Sequence, residues 1–453
     1  MPRKIVVVGA GAAGLTAAST IRAQDPDAAI NVFTEDQHIA YSPCAVIYAI
    51  EGKIKDFDSI IMHDPKFYRE ERDISVHTRT KVVAVDVEKR TATSADGAVF
   101  TWDALVLAVG GRMFVPPIEG TQLPGVYTIK SVDDGKAIQG ALRHAEKVVI
   151  VGAGVIGLMT AVAVRNLGRE VTVLEMLSSV IPRIMDEDMA ALVQRHCEGL
   201  GIRFVFSTPI EAIRGAGKVE SVRAGGKDYP CQMAIMATGV RANLELPKMM
   251  DLEIGVLGGI RVSPILQPYR KGRLVKDVYA AGDAIMCQSA VAPGPTMSQL
   301  GSSAVRQGRV AGINAAGGYA TYPGATSPWV THLGELQAAG TGLSTGLADY
   351  FGIKVVEAKA TGLTRARYYP GGKALTVKMI ADRETHRIVG AQIVGGEDVT
   401  GRINWLTAAV LKAVTVEEFV SSFENAYCPP TSMVKDVVNQ AAEALMDKLN
   451  GAT

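Results

Sequence analysis

Short runs of aliphatic and β-branched residues recur along this chain, and several of them end in glycine. Lys4-Ile5-Val6-Val7-Val8 leads into Gly9, and Val148-Val149-Ile150-Val151 leads into Gly152. A short continuous apolar run closed by a turn predicts a strand buried on both faces, as in a parallel sheet. After each turn a helix is predicted. Two further runs have the same form: Asp103-Ala104-Leu105-Val106-Leu107-Ala108-Val109-Gly110-Gly111 and Met233-Ala234-Ile235-Met236-Ala237-Thr238-Gly239. The repeat therefore includes closing strands as well as opening ones. A fifth strand, Asp277-Val278-Tyr279-Ala280-Ala281, ends in Gly282-Asp283, with a long helix expected at about 298–314 whose Gly and Ala residues suit close packing. Residues 317–324 read as a linker. Beyond it, strands such as Leu375-Thr376-Val377-Lys378-Met379-Ile380 alternate with amphipathic helices, which predicts an α+β domain from about 325 to 453. The uncharged run 148–164 is shorter than the ~20 residues of a membrane span, and it contains the glycine turn. It reads as a buried strand and a buried helix face.

The glycines at both turns have a definite spacing: Gly9-Ala10-Gly11-Ala12-Ala13-Gly14 and Gly152-Ala153-Gly154-Val155-Ile156-Gly157. In such a fingerprint the first glycine makes the turn and the second lets a pyrophosphate approach the backbone. The third lets helix and strand pack closely. The helix N-terminus offers free N–H groups and a positive dipole end to the phosphates. An acid at the end of the next strand completes the pattern by holding ribose hydroxyls. Ile30-Asn31-Val32-Phe33-Thr34-Glu35 supplies it for the first fingerprint and Val171-Thr172-Val173-Leu174-Glu175 for the second. Two complete fingerprints point to two nucleotides in one molecule, the arrangement needed to pass electrons between redox cofactors. Asp283, at the end of its own strand, could accept from a sugar-like polyol.

Length and composition add bounds. The 453 residues suffice for about three domains. A formal net charge of +1 makes no electrostatic case for nucleic acid or an anionic membrane. Arg3 and Lys4 lead directly into the first strand, with no secretory cleavage pattern. The five cysteines (Cys44, Cys197, Cys231, Cys287 and Cys428) form no CxxC pair, so neither a zinc site nor a disulfide framework is indicated, and a reducing, cytoplasmic setting fits.

The fingerprints and the Gly-Asp strand end resemble those of the pyridine nucleotide–disulfide oxidoreductases, over nearly the whole chain. The resemblance implies an α/β flavoprotein with two Rossmann-like dinucleotide-binding domains and a C-terminal α+β dimerisation domain. The FAD-binding domain would comprise 1–110 and 251–322, the NAD-binding domain 111–250, and the interface domain 325–453. Gly9, Gly11, Gly14, Glu35, Gly282 and Asp283 would face FAD; Gly152, Gly154, Gly157 and Glu175 would face the nicotinamide cofactor. The Glu175 carboxylate would repel a 2′-phosphate, favouring NADH over NADPH. A homodimer is implied.

Within that family many members carry a CxxxxC redox pair after the first βαβ unit. This chain has Cys44 alone, in Ala40-Tyr41-Ser42-Pro43-Cys44-Ala45-Val46-Ile47-Tyr48. It resembles the single-cysteine branch of coenzyme A–disulfide reductases, NADH oxidases and peroxidases, and persulfide reductases. Tyr368-Tyr369-Pro370-Gly371 and Ala426-Tyr427-Cys428-Pro429-Pro430 resemble tyrosine loops that coenzyme A–disulfide reductases send to the partner subunit's active site. Cys44 opens a short apolar stretch, 45–50, that reads as helix, a place where a thiolate is stabilised. It is the candidate redox thiol for a small disulfide or persulfide acceptor. Cys428 is a candidate second thiol, beside the alternative of a tolerated small-residue exchange. Cys197 and Cys231 read as packing residues, and Cys287 is left open. Lys53 and Arg22 read as solvated cations rather than anion ligands. The first glycine loop lacks the His of the oxidase and peroxidase subgroups, which points away from oxygen. Met159 stands where the family commonly has Glu near the nicotinamide. Two other functions remain open from sequence: an FAD subunit reacting with NAD(H) in a complex with iron–sulfur protein subunits, and a flavin sensor without turnover.

Overall fold

The computed structural model describes residues 2–451. Two five-stranded parallel sheets lie at its centre. The first has the order Val278–Ala280, Ala104–Leu107, Lys4–Val8, Ala29–Phe33, Ser75–His77. The second has the order Arg203–Val205, Glu170–Leu174, Lys147–Val151, Met233–Met236, Val126–Thr128. Each fingerprint strand sits in the middle of its sheet and is buried at every position except its first lysine. That burial explains why these strands read as unbroken apolar runs. The duplication extends to a three-stranded antiparallel sheet in each half, at residues 82–101 and 210–230. The two halves are bridged by an antiparallel ribbon of Gly111–Met113 and Val240–Ala242.

The third sheet is antiparallel, in the order Trp329–Leu333, Leu336–Gly342, Ile388–Gly395, Ala374–Asp382, Val355–Leu363. The helices Val399–Leu411, Val416–Ser422 and Val437–Leu449 bury its apolar face through Leu406, Phe419 and Ala441. The expected long helix runs Gly301–Ala315 and packs closely against the first fingerprint helix, Ala12–Gln24. A Cβ at Gly308 would lie 2.3 Å from the Ala13 carbonyl oxygen, so glycine is required there for the helices to touch. Among the described residues, no helix is long and apolar enough to cross a membrane.

One packing relation positions the chemistry. The helix Ala45–Glu51, although part of the first half of the chain, buries Val46, Ile47 and Ile50 in the core of the second half. There it packs on the second fingerprint helix, Val155–Asn166. Cys44, which opens that helix, is thereby carried to the junction of the two nucleotide folds.

Candidate functional site

The two fingerprint turns are built alike. Gly9 has φ 109° and Gly152 has φ 108°, backbone that residues with a Cβ avoid. Gly9 N–H donates to the Phe33 carbonyl at 2.7 Å, and Gly152 N–H to the Leu174 carbonyl at 2.8 Å. A Cβ at Gly14 would lie 1.8 Å from the Gly9 oxygen, and one at Gly157 1.9 Å from the Gly152 oxygen, so these two serve helix–strand packing. The middle glycines differ. Gly11 and Gly154 cap their helices in extended backbone, and a Cβ on either would meet nothing within 4 Å. That open space at a helix N-terminus is what an approaching pyrophosphate needs.

The acids are not equivalent. Glu35 ends its strand exposed, with Arg112 3.7 Å away. Glu175 is buried and turned inward: Oε2 accepts from the Ala153 N–H at 2.7 Å and Oε1 from the Leu177 N–H at 2.8 Å. The second carboxylate thus holds its own glycine loop in shape, and only its remaining lone pairs are free for a ribose.

A cavity of about 1830 Å³ opens between the domains. Gly9, Gly11, Glu35, Gly282 and Asp283 line it on the first fold's side. Ile156, Met159 and Ile184 line it from the second, and Trp329 and His332 from the C-terminal sheet. Burial pushes the Asp283 carboxyl pKa up, and the Lys130 charge opposes the shift only in part. Within the described residues no hydrogen bond reaches the Asp283 carboxylate, Gln299 donating only to its backbone carbonyl, and the carboxylate therefore suits the hydroxyls of a bound polyol. Asp36 is raised likewise, first by burial and then by the Glu35 charge.

Cys44 lines the same cavity and is exposed. One turn along, burial raises the Tyr48 pKa, and the Cys44 charge adds to the effect. Cys197, Cys231 and Cys287 are buried, which pushes their thiols up to about 12, 11 and 11. That answers for Cys287 the question its sequence context left open. Cys428 is exposed, with its backbone N–H donating to Ser432 Oγ at 3.2 Å. The Tyr368 and Tyr427 hydroxyls meet at 2.5 Å on the surface, with Tyr369 partly exposed nearby in sequence. None of these three tyrosines, nor Cys428, lines the cavity that holds the same chain's Cys44. Arg22 is absorbed by backbone carbonyls, including those of Ala28 and Asp73, and Lys53 pairs with Glu51 at 2.8 Å. Arg22 is thus not free for a ligand, and Lys53 stays solvated, outside the cavity lining. Ile184, Trp329 and His332 carry no motif, and only the folded chain identifies them as cavity walls.

Glycine cradles with open middle positions and an unpaired polyol-facing carboxylate fit a flavin dinucleotide in the first fold and a nicotinamide dinucleotide in the second. These features define a two-nucleotide flavoprotein oxidoreductase. Residues 3–308 match the pyridine nucleotide-disulphide oxidoreductases and residues 328–437 match the dimerisation domain of the same group, and the chain belongs to that family. An NADH oxidase of Methanocaldococcus jannaschii is 44% identical over 453 residues, covering 99% of each chain. An NAD(P)H coenzyme A polysulfide/persulfide reductase of Pyrococcus horikoshii is 31% identical over 449 residues, 98% of this chain and 99% of the relative. The solved NAD-dependent persulfide reductase from A. fulgidus superposes with a TM-score of 0.95 at 32% identity, covering 99% of this chain and 84% of that one. The protein is an FAD-dependent NAD(P)H oxidoreductase with a dimerisation domain.

Proposed function

We propose that the protein passes electrons from NADH through FAD to a low-molecular-weight disulfide or persulfide, with Cys44 as the reacting thiol. The observation that carries this reading is the placement of Cys44: an exposed cysteine on the wall of the cavity shared by Asp283 of the first fold and Met159 of the second. Bound cofactors supply hydride transfer and a two-electron store. Gly11 and the helix it caps would hold the flavin's pyrophosphate, Glu35 its ribose and Asp283 its polyol. Gly9 and Gly14 keep the turn and packing that make the cradle, and Gly282 turns the chain ahead of Asp283. Gly152, Gly154 and Gly157 do the same work for NADH. Glu175 would accept from the ribose with its spare lone pairs, and no basic residue in Met176-Leu177-Ser178-Ser179 would neutralise a 2′-phosphate, which favours NADH over NADPH.

The Cys44 thiolate attacks one sulfur of the acceptor disulfide. A Cys44–S–S–R bond forms, the acceptor's S–S bond breaks, and one thiolate leaves. Two electrons and a proton then cleave the mixed disulfide, restoring the Cys44 thiolate and releasing the second thiol. The relatives named for coenzyme A polysulfide/persulfide and for coenzyme A disulfide support a thiol-derived acceptor. We assign 1–110 and 251–322 to FAD, 111–250 to NADH and 325–453 to a homodimer interface. Across it Tyr368, Tyr369, Tyr427 and Cys428 would face the partner's cavity. Unpaired cysteines fit a reducing cytoplasm.

The test is anaerobic reduction of the purified flavoprotein with NADH, followed by coenzyme A disulfide, polysulfide, oxygen or a ferredoxin-type acceptor. Fastest reoxidation by the disulfide or polysulfide, lost in Cys44→Ser, is expected. Fastest reoxidation by oxygen or the iron–sulfur protein, unchanged in Cys44→Ser, would overturn the assignment.

A further inference from the structure

The segment between Glu175 and the helix Glu187–Gly199 is strained. Ile181 has φ 46° and Arg183 has φ 74°, on either side of Pro182. A β-branched residue in the left-handed region is an outlier, and such backbone persists only where its surroundings over-determine it. Here they do so from both ends. Ile181 N–H donates to the Ala153 carbonyl at 2.8 Å, inside the second glycine loop. The Ala153 N–H is the group that Glu175 Oε2 holds. At the other end the anchors all belong to the C-terminal domain. Ser344 Oγ donates to the Arg183 carbonyl at 2.8 Å, and the Asp186 N–H donates to Gln392 Oε1 at 2.9 Å. Asp186 Oδ1 accepts from both the N–H and the hydroxyl of Thr345 at 2.9 Å.

Lys378 closes this joint. Its side chain is 4% exposed, and Nζ lies 2.9 Å from Asp186, 3.0 Å from Asp188 and 2.5 Å from Glu357. Lys359 pairs with Asp188 at 2.8 Å and offsets part of the acidic excess. Burial alone would pull the Lys378 pKa down, but its bonds to Glu357, Asp186 and Asp188 hold it well above the ordinary lysine value. These contacts favour the charged ammonium in the fold. Removing it would leave the buried Asp186 carboxylate uncompensated beside the more exposed Asp188 and Glu357. Between the two anchored ends, Ile184 projects exposed into the large cavity, and Arg183 is exposed beside it.

We infer that Lys378 and Asp186 are positioning residues for the nicotinamide cofactor: the C-terminal domain, through the 181–186 segment, sets the Ala153 peptide, Glu175 and Ile184 in binding geometry. The inference rests on the assignment of the second fingerprint to NADH. It makes the second nucleotide site incomplete without the C-terminal sheet, although no residue of that sheet belongs to the fingerprint.

The test uses the FAD-loaded full chain. NAD+ binding is measured by calorimetry for the parent, Lys378→Met and Thr345→Val. Cleavage after Arg183 is followed by limited trypsin digestion and mass spectrometry. Thr345→Val removes only the hydroxyl donor to Asp186, and it decides the matter if Lys378→Met fails to fold. The NAD+ dissociation constant is expected to rise about tenfold in Lys378→Met and by a smaller factor in Thr345→Val. Tryptic cleavage at Arg183 should accelerate in the same order, while bound FAD and the alkylation rate of Cys44 stay at parental values. Folded variants that bind NAD+ within about twofold of the parent, with only a lower melting temperature, would make the joint merely structural and overturn the inference. Absence of NAD+ binding by the parent would instead remove the cofactor assignment itself, and the inference with it.

Discussion

Burial divides the cysteines into two chemical kinds. A thiol pushed up to about 11 or 12 carries almost no thiolate at neutral pH, so Cys197, Cys231 and Cys287 are inert in the folded protein. Brief iodoacetamide treatment at pH 7.5, mapped by mass spectrometry, is expected to label Cys44 and Cys428 and leave those three unmodified until the protein unfolds. Asp283 offers a second prediction whose sign follows from its pKa. A carboxyl whose folded pKa lies above its unfolded value opposes folding once pH exceeds the unfolded value, about 3.9, and the cost is relieved as pH falls. Asp283→Asn should therefore melt higher than the parent at pH 7 when both are stripped of flavin, with the difference shrinking toward pH 4. The same variant should bind FAD more weakly. A stripped variant melting below the parent at pH 7 would contradict the account. The placement of Asp283 after a buried strand and a glycine turn was legible in sequence. The absence, among the described residues, of a hydrogen-bond donor to its carboxylate was not, because that depends on which side chains arrive from elsewhere.

At the scale of elements, the two strand–turn–helix units separate packing glycines from binding glycines. Gly157→Ala places a Cβ within 1.9 Å of the Gly152 oxygen, so the helix must shift off its strand, at a cost of about 1–3 kcal/mol. Gly154→Ala meets no atom within 4 Å and should change stability by only about 0.5 kcal/mol. If the second fingerprint holds NADH as proposed, the alanine methyl group would stand where the pyrophosphate approaches, so NADH affinity should fall sharply. Thermal melting and NADH titration of the two variants separate the effects: equal losses of stability would contradict the division. These units were legible because everything they need is local, a buried strand, a turn with φ near 109° and a helix N-terminus. The long helix expected from 298 begins at Gly301, after residues 297–300, which belong to no helix or strand and whose Gln299 Nε2 donates to the Asp283 carbonyl at 3.3 Å. The apolar stretch after Cys44 was likewise legible as a helix, but the core that it joins was not.

At the scale of the whole molecule, a buried ion pair organises the surface that carries the tyrosines. Arg402 donates to Asp436 at 2.8 Å, both side chains are 5% exposed, and Arg402 also reaches the Thr364 carbonyl at 3.2 Å. That bond ties together the loops bearing Tyr368 and Tyr427. Arg402→Met would leave Asp436 buried and uncompensated, at a cost of about 3–5 kcal/mol. Sedimentation should then show dissociation of the proposed homodimer at concentrations where the parent stays associated, and a variant as fully dimeric as the parent would dissociate this loop from the interface. The strand–turn–helix units with their glycine spacing, the acids that follow the next strands and the lone cysteine ahead of a short helix were determined by the sequence alone, because each depends on neighbours within one supersecondary unit. Tertiary structure decided the rest. It turned Glu175 onto its own glycine loop, seated the Cys44 helix in the core of the other half, and joined Asp186 to Lys378 across 192 residues (378 − 186) of chain. Such contacts are set by how separately folded sheets dock, and no spacing of residues along the chain records that docking.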